Sequence, residues 1–274
     1  MFVSLILMGG LICDLLTIFV FKWVNEPKTL WILPVAFIVG MIIAILIILL
    51  VLYIGSLFVD KNKEYVKPSK FHHRAVMRVC EMLVQIFRIK VHYRGFDKLP
   101  QDKKFLFVFN HQSMFDPISA VWTLRGFPIV FVMKQSLLKI PLVGKYLYAS
   151  GFLGLNRENP REGVKTINKA SSRIEEDILS IGIAPEGTRS KKYEMNEFHS
   201  GSFKIALKAK CPIVLCCIQN TCKVYERFKF KSTKVYYDIV EVIPYEDIEN
   251  KTTQEISDYS YEVIKNNLEN LPKY

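Results

Sequence analysis

The feature that most constrains this 274-residue chain is a pair of long apolar runs at its N-terminus. The first extends from Phe2 to Phe21 with one charge, Asp14, and the second extends from Leu30 to Val59 with none. A helix needs roughly 20 residues to cross a hydrocarbon core of about 30 Å, so each run is long enough to span a bilayer. Pro27 lies in the short segment between them and favours a helical hairpin. No basic residue precedes the first run, which argues against a cleaved signal peptide.

The distribution of charge predicts which side of the membrane the rest of the chain occupies. Lys and Arg number 37 against 26 Asp and Glu, for a formal net charge of +11, and residues 60–100 hold ten basic and four acidic residues. Because Lys and Arg accumulate on the cytoplasmic side of membrane helices, we predict an integral protein of the inner or plasma membrane with the rest of the chain on the cytoplasmic side. We expect a membrane hairpin and basic linker in residues 1–67 and a second domain in residues 68–274. The sequence leaves open whether the hairpin spans the bilayer or enters one leaflet.

Residues 68–90 show the periodicity of an amphipathic helix. Apolar residues recur at helical spacing, at Phe71, Ala75, Val79, Met82 and Ile86. One interpretation is a helix packed on the core of the second domain. The other is a helix lying in the headgroup layer of the membrane, and different faces of one helix could do both.

Beyond residue 90, short apolar segments alternate with helical ones. The predicted strands are 104–109, 128–133, 151–156, 181–185, 213–218 and 234–243, and the predicted helices are 117–124, 141–150, 161–179, 202–210 and 253–270. This alternation predicts an α/β domain in which helices cover both faces of a sheet. The six cysteines form no C-x-x-C pair, so we expect free thiols and no metal site.

Polar residues directly follow the first of these predicted strands. Asn110 and His111 come after the apolar run Phe105–Phe109, and Asp116 follows five residues after the histidine. Open α/β sheets bind ligands at the ends of such strands. Asp116 could hold the Nδ1–H of His111 across a turn and leave Nε2 free to accept a proton. Taken alone, the pair could equally be a surface ion pair or a helix cap.

A second polar motif follows the predicted strand Ile181–Pro185, with the sequence Glu186-Gly187-Thr188-Arg189. Gly187 permits a tight turn and a close approach of the backbone to a ligand. Thr188 offers a hydroxyl, and Arg189 offers a planar fork that suits phosphate. Taken alone, this motif could also be a surface turn with a Glu–Arg pair.

Together the two motifs resemble the first and third motifs of the glycerolipid acyltransferase family, which comprises lysophosphatidate and glycerol-3-phosphate acyltransferases. Two further segments resemble its second and fourth motifs: Lys134-x6-Pro141-x2-Gly144 with Gly151 and Asn156-Arg157, and Pro212-Ile213-Val214. The resemblance covers roughly residues 75–220. Leu215-Cys216-Cys217 departs from the fourth motif, in which a second proline is common.

The resemblance implies a mixed sheet covered by helices and the transfer of a fatty acyl group to 1-acyl-glycerol-3-phosphate, with phosphatidate as the product. It implies that His111 is the general base, oriented by Asp116. Arg189 would hold the acceptor phosphate with Gly187 and Thr188. The further residues it singles out are Arg157 and Lys134 as additional phosphate contacts and Asn110 and Glu186 as supporting residues. Acyl-CoA or acyl carrier protein would be the co-substrate, membrane lipids would be the partners, and no cofactor is expected.

Three other functions share some of these features. The acceptor could be a different lysolipid or glycerol-3-phosphate. The same His–Asp pair could activate water, as in a thioesterase or lipase. A basic chain could also bind anionic lipid or nucleic acid through charge alone, but such a binder would not need two polar motifs at strand ends, so we expect no nucleic-acid partner.

Overall fold

A computed structural model describes residues 1–21, 29–190, 194–227 and 231–270 of the chain. These residues divide into two compact units, Met1–Lys63 and Glu64–Tyr274. The first unit contains the two apolar runs, and the second contains the α/β domain and both polar motifs.

The first unit consists of helices α1 (Phe2–Phe21) and α2 (Thr29–Leu57). By length and composition both can cross a membrane, since their apolar windows Phe2–Phe19 and Trp31–Leu57 have mean hydropathies of 2.3 and 3.5. The helices pack closely at a glycine, because a Cβ atom on Gly10 would come within 2.6 Å of the Phe37 ring. The segment between them, which the sequence predicts to be a hairpin turn, lies outside the described residues.

The described residues of the second unit form a seven-stranded mixed sheet, which confirms the predicted α/β class. The strands are β1 (Ile89–Arg94), β2 (Leu106–Phe109), β3 (Ile129–Lys134), β4 (Leu153–Leu155), β5 (Ser180–Ile183), β6 (Ile213–Gln219) and β7 (Thr233–Ile243), in the order β1-β7-β6-β2-β5-β3-β4. All neighbouring pairs are parallel except β6 and β7. Strands β2, β3, β4, β5 and β6 therefore end at one edge of the sheet, called the carboxyl edge below, and β1 and β7 begin there.

Helices surround this sheet. They are α3 (Lys70–Ile86), α4 (Phe115–Thr123), α5 (Val143–Ala149), α6 (Pro160–Glu175), α7 (Lys204–Ala209), α8 (Lys223–Arg227) and α9 (Thr253–Asn270). Helix α3 packs against α4 and α5, α6 packs against α7, and α9 packs against β6 and β7. The centre of the sheet is fully buried: every residue of β2 and β5 lies in the core. Burial on both faces explains why these strands are continuous apolar runs in the sequence.

The first strand departs from the sequence prediction. The amphipathic pattern predicts a helix over 68–90, but α3 ends at Ile86 and Ile89–Arg94 form β1. Arg88 has a left-handed φ of 52°, which ends the helix and turns the chain into the sheet. Strand β1 is stabilised by parallel pairing with β7, about 140 residues later, which local sequence cannot reveal.

The buried face of α3 also differs from the predicted stripe. The residues of α3 that are fully buried are His72, Val76, Cys80 and Val84. Phe71 and Ile86, which the periodicity places on the apolar face, are 51% and 46% exposed. The helix therefore packs on the domain, with part of its apolar surface left open.

Candidate active site

The first polar motif places a histidine beside a buried carboxylate at the carboxyl edge. His111 follows β2, and Asp116 lies in the first turn of α4. The Nδ1 of His111 lies 2.8 Å from Oδ2 of Asp116. The Asp116 side chain is completely buried, whereas that of His111 is 19% exposed. The imidazole can therefore meet a substrate while its partner is shielded from water.

Three other donors hold the Asp116 carboxylate in place. Its Oδ2 accepts the backbone N–H groups of Gln112 at 2.6 Å and Ser113 at 2.7 Å. Its Oδ1 accepts the hydroxyl of Thr221. In each of these contacts a carboxylate oxygen of Asp116 is the acceptor. His111 must then carry its proton on Nδ1, which leaves Nε2 as the nitrogen that can accept a proton.

Asn110 fixes the loop that carries His111. Its side-chain NH₂ donates to the carbonyl of Ile218 at 3.0 Å, and its side-chain oxygen accepts the N–H of Ile218 at 2.7 Å. This two-way pairing continues the β2–β6 ladder by one step beyond Phe109, the last residue of β2. Asn110 is buried and positions the loop.

Glu186 joins the two polar motifs. Its Oε1 accepts the backbone N–H of His111 at 2.6 Å, and its Oε2 accepts the backbone N–H and side-chain NH₂ of Asn196 at 2.9 and 3.0 Å. The N–H of Ser190 in turn donates to the carbonyl of His111 at 2.7 Å. Glu186 is 2% exposed, and burial raises the pKa of its carboxyl while these hydrogen bonds lower it, with burial the larger effect. Glu186 therefore ties the backbones of the two motifs together and does not face substrate.

Replacing Glu186 with Gln is expected to lower the free energy of unfolding by about 1–3 kcal/mol, because an amide NH₂ would face the N–H donors of His111 or Asn196.

The difference in free energy of unfolding between wild type and Glu186→Gln also depends on pH. A raised pKa means that folded Glu186 holds its proton at a pH where the unfolded chain has lost it. The contribution of Glu186 to the free energy of unfolding of the wild type therefore falls as pH rises from the ordinary glutamate pKa through the raised pKa. Denaturation curves of the detergent-solubilised proteins measure this difference, which should become smaller as pH rises between the two pKa values. A difference that does not change with pH would contradict the raised pKa of Glu186.

Gly187 lies at the rim of a cavity of about 490 Å³. It has a left-handed φ of 69°, and a Cβ atom there would lie 2.9 Å from the His199 ring and 3.9 Å from Nε of Arg157. Only glycine fits this position without strain. Arg157, Lys204 and Lys208 also line the cavity, so it is rich in positive charge.

The structure does not gather all predicted phosphate ligands in that cavity. Gly187 and Arg157 line it, whereas His111, Arg189 and Lys134 are not among the described residues that do so. Thr188 and Arg189 are exposed on the loop next to Ser190, and Lys134 is exposed at the end of β3. Among the described residues, the guanidinium of Arg189 has no ion-pair partner within 4.0 Å, so it is available to an anionic ligand.

Several residues of the site could not be predicted from the sequence. Thr221 and Tyr237 contact Asp116 from distant parts of the chain, and the Tyr237 hydroxyl donates to the carbonyl of Asp116 at 2.9 Å. Asn196 supports Glu186 from the loop that follows the second motif. His199 lies against Gly187. The only local signal was position, because Thr221 follows the end of β6 just as His111 follows the end of β2.

Chemically, the arrangement combines a histidine whose Nε2 can accept a proton, an exposed guanidinium on the loop after β5, and a cavity lined by three basic side chains. Ser113 does not act as a nucleophile in this arrangement, because its hydroxyl donates to the carbonyl of Thr221 at 3.1 Å and accepts the N–H of Phe115 at 2.9 Å. Within the described ranges, no group of three or more His, Cys, Asp or Glu side chains could hold a metal ion. The four cysteines at 80, 211, 216 and 217 are free and buried.

Comparison with known proteins shows which protein family the residues of the site match. Residues 90–219 match the model of the Acyltransferase family. The 1-acyl-sn-glycerol-3-phosphate acyltransferase of Haemophilus influenzae is 28% identical over 200 residues, covering 72% of this chain and 81% of that protein. The Escherichia coli protein of the same name is 29% identical over 215 residues, covering 77% and 83%.

A solved structure shares the fold. The crystal structure of PlsC, the 1-acyl-sn-glycerophosphate acyltransferase of Thermotoga maritima, matches with a TM-score of 0.61 and 23% identity, covering 81% of this chain and 88% of that one. The matched residues 90–219 include His111, Asp116, Glu186 and Arg189, and thus both polar motifs. Residues 90–219 of this chain are therefore a domain of the Acyltransferase family.

Proposed function

We propose that this acyltransferase transfers a fatty acyl group from acyl-CoA or acyl carrier protein to the free hydroxyl of 1-acyl-glycerol-3-phosphate and forms phosphatidate. The names of the relatives, which span most of the chain, support this acceptor. The observation that carries the mechanism is the 2.8 Å contact between His111 and the fully buried Asp116. The thioester is a co-substrate, and because it is already activated the reaction needs no further cofactor.

The proposed reaction starts when Nε2 of His111 takes the proton from the acceptor hydroxyl. The hydroxyl oxygen attacks the thioester carbonyl carbon and forms the new C–O bond. The tetrahedral intermediate then collapses, the C–S bond breaks, and the imidazolium returns the proton to the leaving thiolate. Asp116 stabilises the imidazolium through its hydrogen bond to Nδ1.

The phosphate of the acceptor would be held beside His111. Ser190, one residue after Arg189, donates its N–H to the His111 carbonyl at 2.7 Å, so the Arg189 loop lies against the catalytic loop. Arg189 is exposed and can approach a phosphate bidentately, with Gly187 and Thr188 in the same loop. Arg157 and Lys134 are proposed as weaker contacts, since Arg157 lines the cavity beside Gly187 and Lys134 lies at the end of β3.

The two apolar helices support a membrane location for this reaction. Lysophosphatidate and phosphatidate both partition into the bilayer, and moving an acyl chain into water costs about 0.8 kcal/mol per CH₂. We propose that α1 and α2 anchor the protein in the inner or plasma membrane. The basic residues that follow them would keep the catalytic unit on the cytoplasmic side.

An assay of the detergent-purified full chain tests this function. The protein is incubated with labelled acyl-CoA or acyl carrier protein and a panel of acceptors that contains lysophosphatidate, other lysolipids and glycerol-3-phosphate. Labelled phosphatidate as the main product is expected. Preference for another acceptor would replace the proposed substrate, and release of free fatty acid without an esterified lipid would mean hydrolysis.

Replacing Arg189 with Ala is expected to raise the KM for lysophosphatidate about 10- to 100-fold, because a charge-assisted hydrogen bond to phosphate contributes about 1.5–3 kcal/mol. The KM for the acyl donor should change little. Steady-state kinetics with each substrate varied in turn measure both constants. Lys103→Ala, which removes an exposed charge before β2, serves as the matched control. A rise confined to the donor's KM would contradict the phosphate role of Arg189.

A further inference from the structure

Two segments far apart in the chain carry positive charge without any acidic residue. Residues 82–96 and 227–237 together hold seven Lys and Arg residues and no Asp or Glu. The first segment contains β1, and the second contains the start of β7. These two strands pair in parallel, with Lys90 opposite Lys234. The fold therefore joins two basic segments into one surface of the catalytic unit.

Five cations of this surface are called the basic strip below, and each of them is exposed to solvent: Arg88, Lys90, Arg94, Lys231 and Lys234. Arg94 lies 3.7 Å from the buried carboxylate of Asp238. Within the described ranges, the other four cations have no carboxylate within 4.0 Å. Their charges are therefore available to an anionic partner.

The cations of β1 and β7 lie on one face of the sheet. Lys90, Arg94 and Lys234 share this face, because side chains two residues apart in a strand point the same way and paired residues lie side by side. The opposite face holds Tyr237, whose hydroxyl lies 2.7 Å from that of Ser119 in α4. The exposed cations therefore point away from α4.

The basic strip lacks the apolar side chains that membrane-inserting surfaces combine with cations. Ile89 and Val235 are buried. Among residues 88–94 and 231–237, the exposed large apolar side chain is that of Tyr93, which pairs with Tyr237 and so lies on the opposite face. A charged surface without apolar groups suits a soluble acidic partner, which long-range electrostatic attraction brings to it.

The spacing of the strip matches that of acidic groups on a helix. Lys90 and Arg94 are four residues apart, or about 13 Å along a strand. Eight residues of an α-helix, which are about two turns, rise about 12 Å. Acidic side chains two turns apart on one helix face can therefore meet both cations at once. Lys234 lies about 4.8 Å to the side, on the neighbouring strand.

One end of the strip lies at the edge of the sheet that holds the candidate active site. Strands β1 and β7 begin at the carboxyl edge, so Arg88 and Lys231 lie at the edge where His111 follows β2. In the strand order β1-β7-β6-β2, three spacings of about 4.8 Å, or roughly 14 Å, separate β1 from β2. The phosphopantetheine arm of an acyl carrier is long enough to bring a thioester across that distance.

We propose that the basic strip docks an acyl carrier protein, with an acidic helix of the carrier along β1 and the acyl thioester directed to His111. This inference rests on the proposed function, because it names the partner that delivers the donor of the same reaction. The docking itself is a binding event between two proteins and can be measured without turnover.

Fluorescence anisotropy tests the docking directly. Labelled apo acyl carrier protein, which has no pantetheine arm, is titrated with the full-length protein in micelles of a non-ionic detergent. The charge reversal Lys90→Glu/Lys234→Glu should raise the Kd about tenfold, because each change replaces an attraction to carboxylates by a repulsion. Added salt should weaken binding of the wild type more than binding of this variant.

The matched control is Lys103→Glu/Lys251→Glu, which changes the net charge by the same amount. Both lysines are exposed, and they lie before β2 and after β7, toward the edge opposite His111. This control should bind the carrier as the wild type does. A similar loss of affinity in both double variants would mean that net charge alone governs binding, and it would overturn the proposed site.

Kinetics with two donors show whether the docking serves acyl transfer. The KM for acyl carrier protein loaded with an acyl group should rise about tenfold in Lys90→Glu/Lys234→Glu. Its kcat and its KM for acyl-CoA should stay near the wild-type values, which also shows that the variant is folded. The KM for lysophosphatidate should not change.

The remaining outcomes separate this proposal from the proposed function. Absent binding of the carrier to the wild type, or equal affinity of wild type and charge reversal, would refute the docking. An equal rise in KM for both donors would assign the strip to coenzyme A phosphates, and a rise confined to lysophosphatidate would make it a lipid surface; either result overturns the proposal. A wild type that binds the carrier but forms no phosphatidate from either donor would refute the proposed function and leave the docking intact.

Discussion

Replacing His111 with Ala is expected to lower kcat by about 10³- to 10⁴-fold, the upper part of the range for loss of a general base. Among the described residues, His111 is the histidine whose ring contacts the buried carboxylate of Asp116, through Nδ1. The KM for either substrate should change little, since the role proposed for the histidine is to take a proton and not to bind the phosphate. Single-turnover acyl transfer from labelled acyl-CoA to lysophosphatidate measures the effect on chemistry directly.

The control for this change is His92→Ala. His92 lies in β1, where its ring stacks on Tyr236 at 5.2 Å, and it takes no part in the site. The activity of His92→Ala should stay near that of the wild type. Both His92→Ala and His111→Ala should retain the wild-type melting temperature within a few degrees. A His111 variant with more than about a tenth of wild-type kcat would contradict the assignment of the base.

Replacing Asp116 with Asn is expected to lower kcat by about 10²- to 10⁴-fold and to destabilise the domain. An amide places an NH₂ group where the carboxylate now accepts four donors, including Nδ1 of His111 and the N–H of Gln112. The imidazole would lose its fixed tautomer, and a buried donor would be left without an acceptor at a cost of about 1–3 kcal/mol. Steady-state kinetics and thermal unfolding of the same preparation separate the two effects.

A double-mutant cycle distinguishes the positioning role of Asp116 from a structural one. If Asp116 acts only through His111, the double variant His111→Ala/Asp116→Asn should be no slower than His111→Ala alone. Thr221→Val removes one donor from Asp116 and leaves the imidazole contact, so its loss of kcat should be much smaller. Fully additive losses in the cycle would show that Asp116 acts independently of the histidine.

The α/β class was predictable because the central strands are fully buried. All residues of β2 and β5 lie in the core, so each appears in the sequence as an apolar run that ends at a polar motif. Strand β1 was not predictable in the same way. Apolar and basic side chains alternate along β1, so the strand does not appear in the sequence as an apolar run. Pairing with β7 stabilises it as a strand.

The first half of the site, the pair of His111 and Asp116, was predictable because the two residues are close in the sequence. His111 and Asp116 are five residues apart and interact within one turn, so spacing alone brings them together. The contact between the backbone of His111 and the carboxylate of Glu186 joins residues 75 positions apart. The contacts of Thr221 and Tyr237 with Asp116 join residues more than 100 positions apart.

The sequence by itself determined the two apolar helices, the order of the strands from β2 to β7, and the residues of the two polar motifs, because each depends on hydrophobic periodicity or on short spacing. Only the tertiary structure decided that the first motif shares one edge with the second, and that Arg157 and Gly187 line a cavity that Arg189 does not line. The physical reason is the parallel pairing of β2 with β5 and β6, which brings strand ends from distant parts of the chain to one edge and so assembles the site.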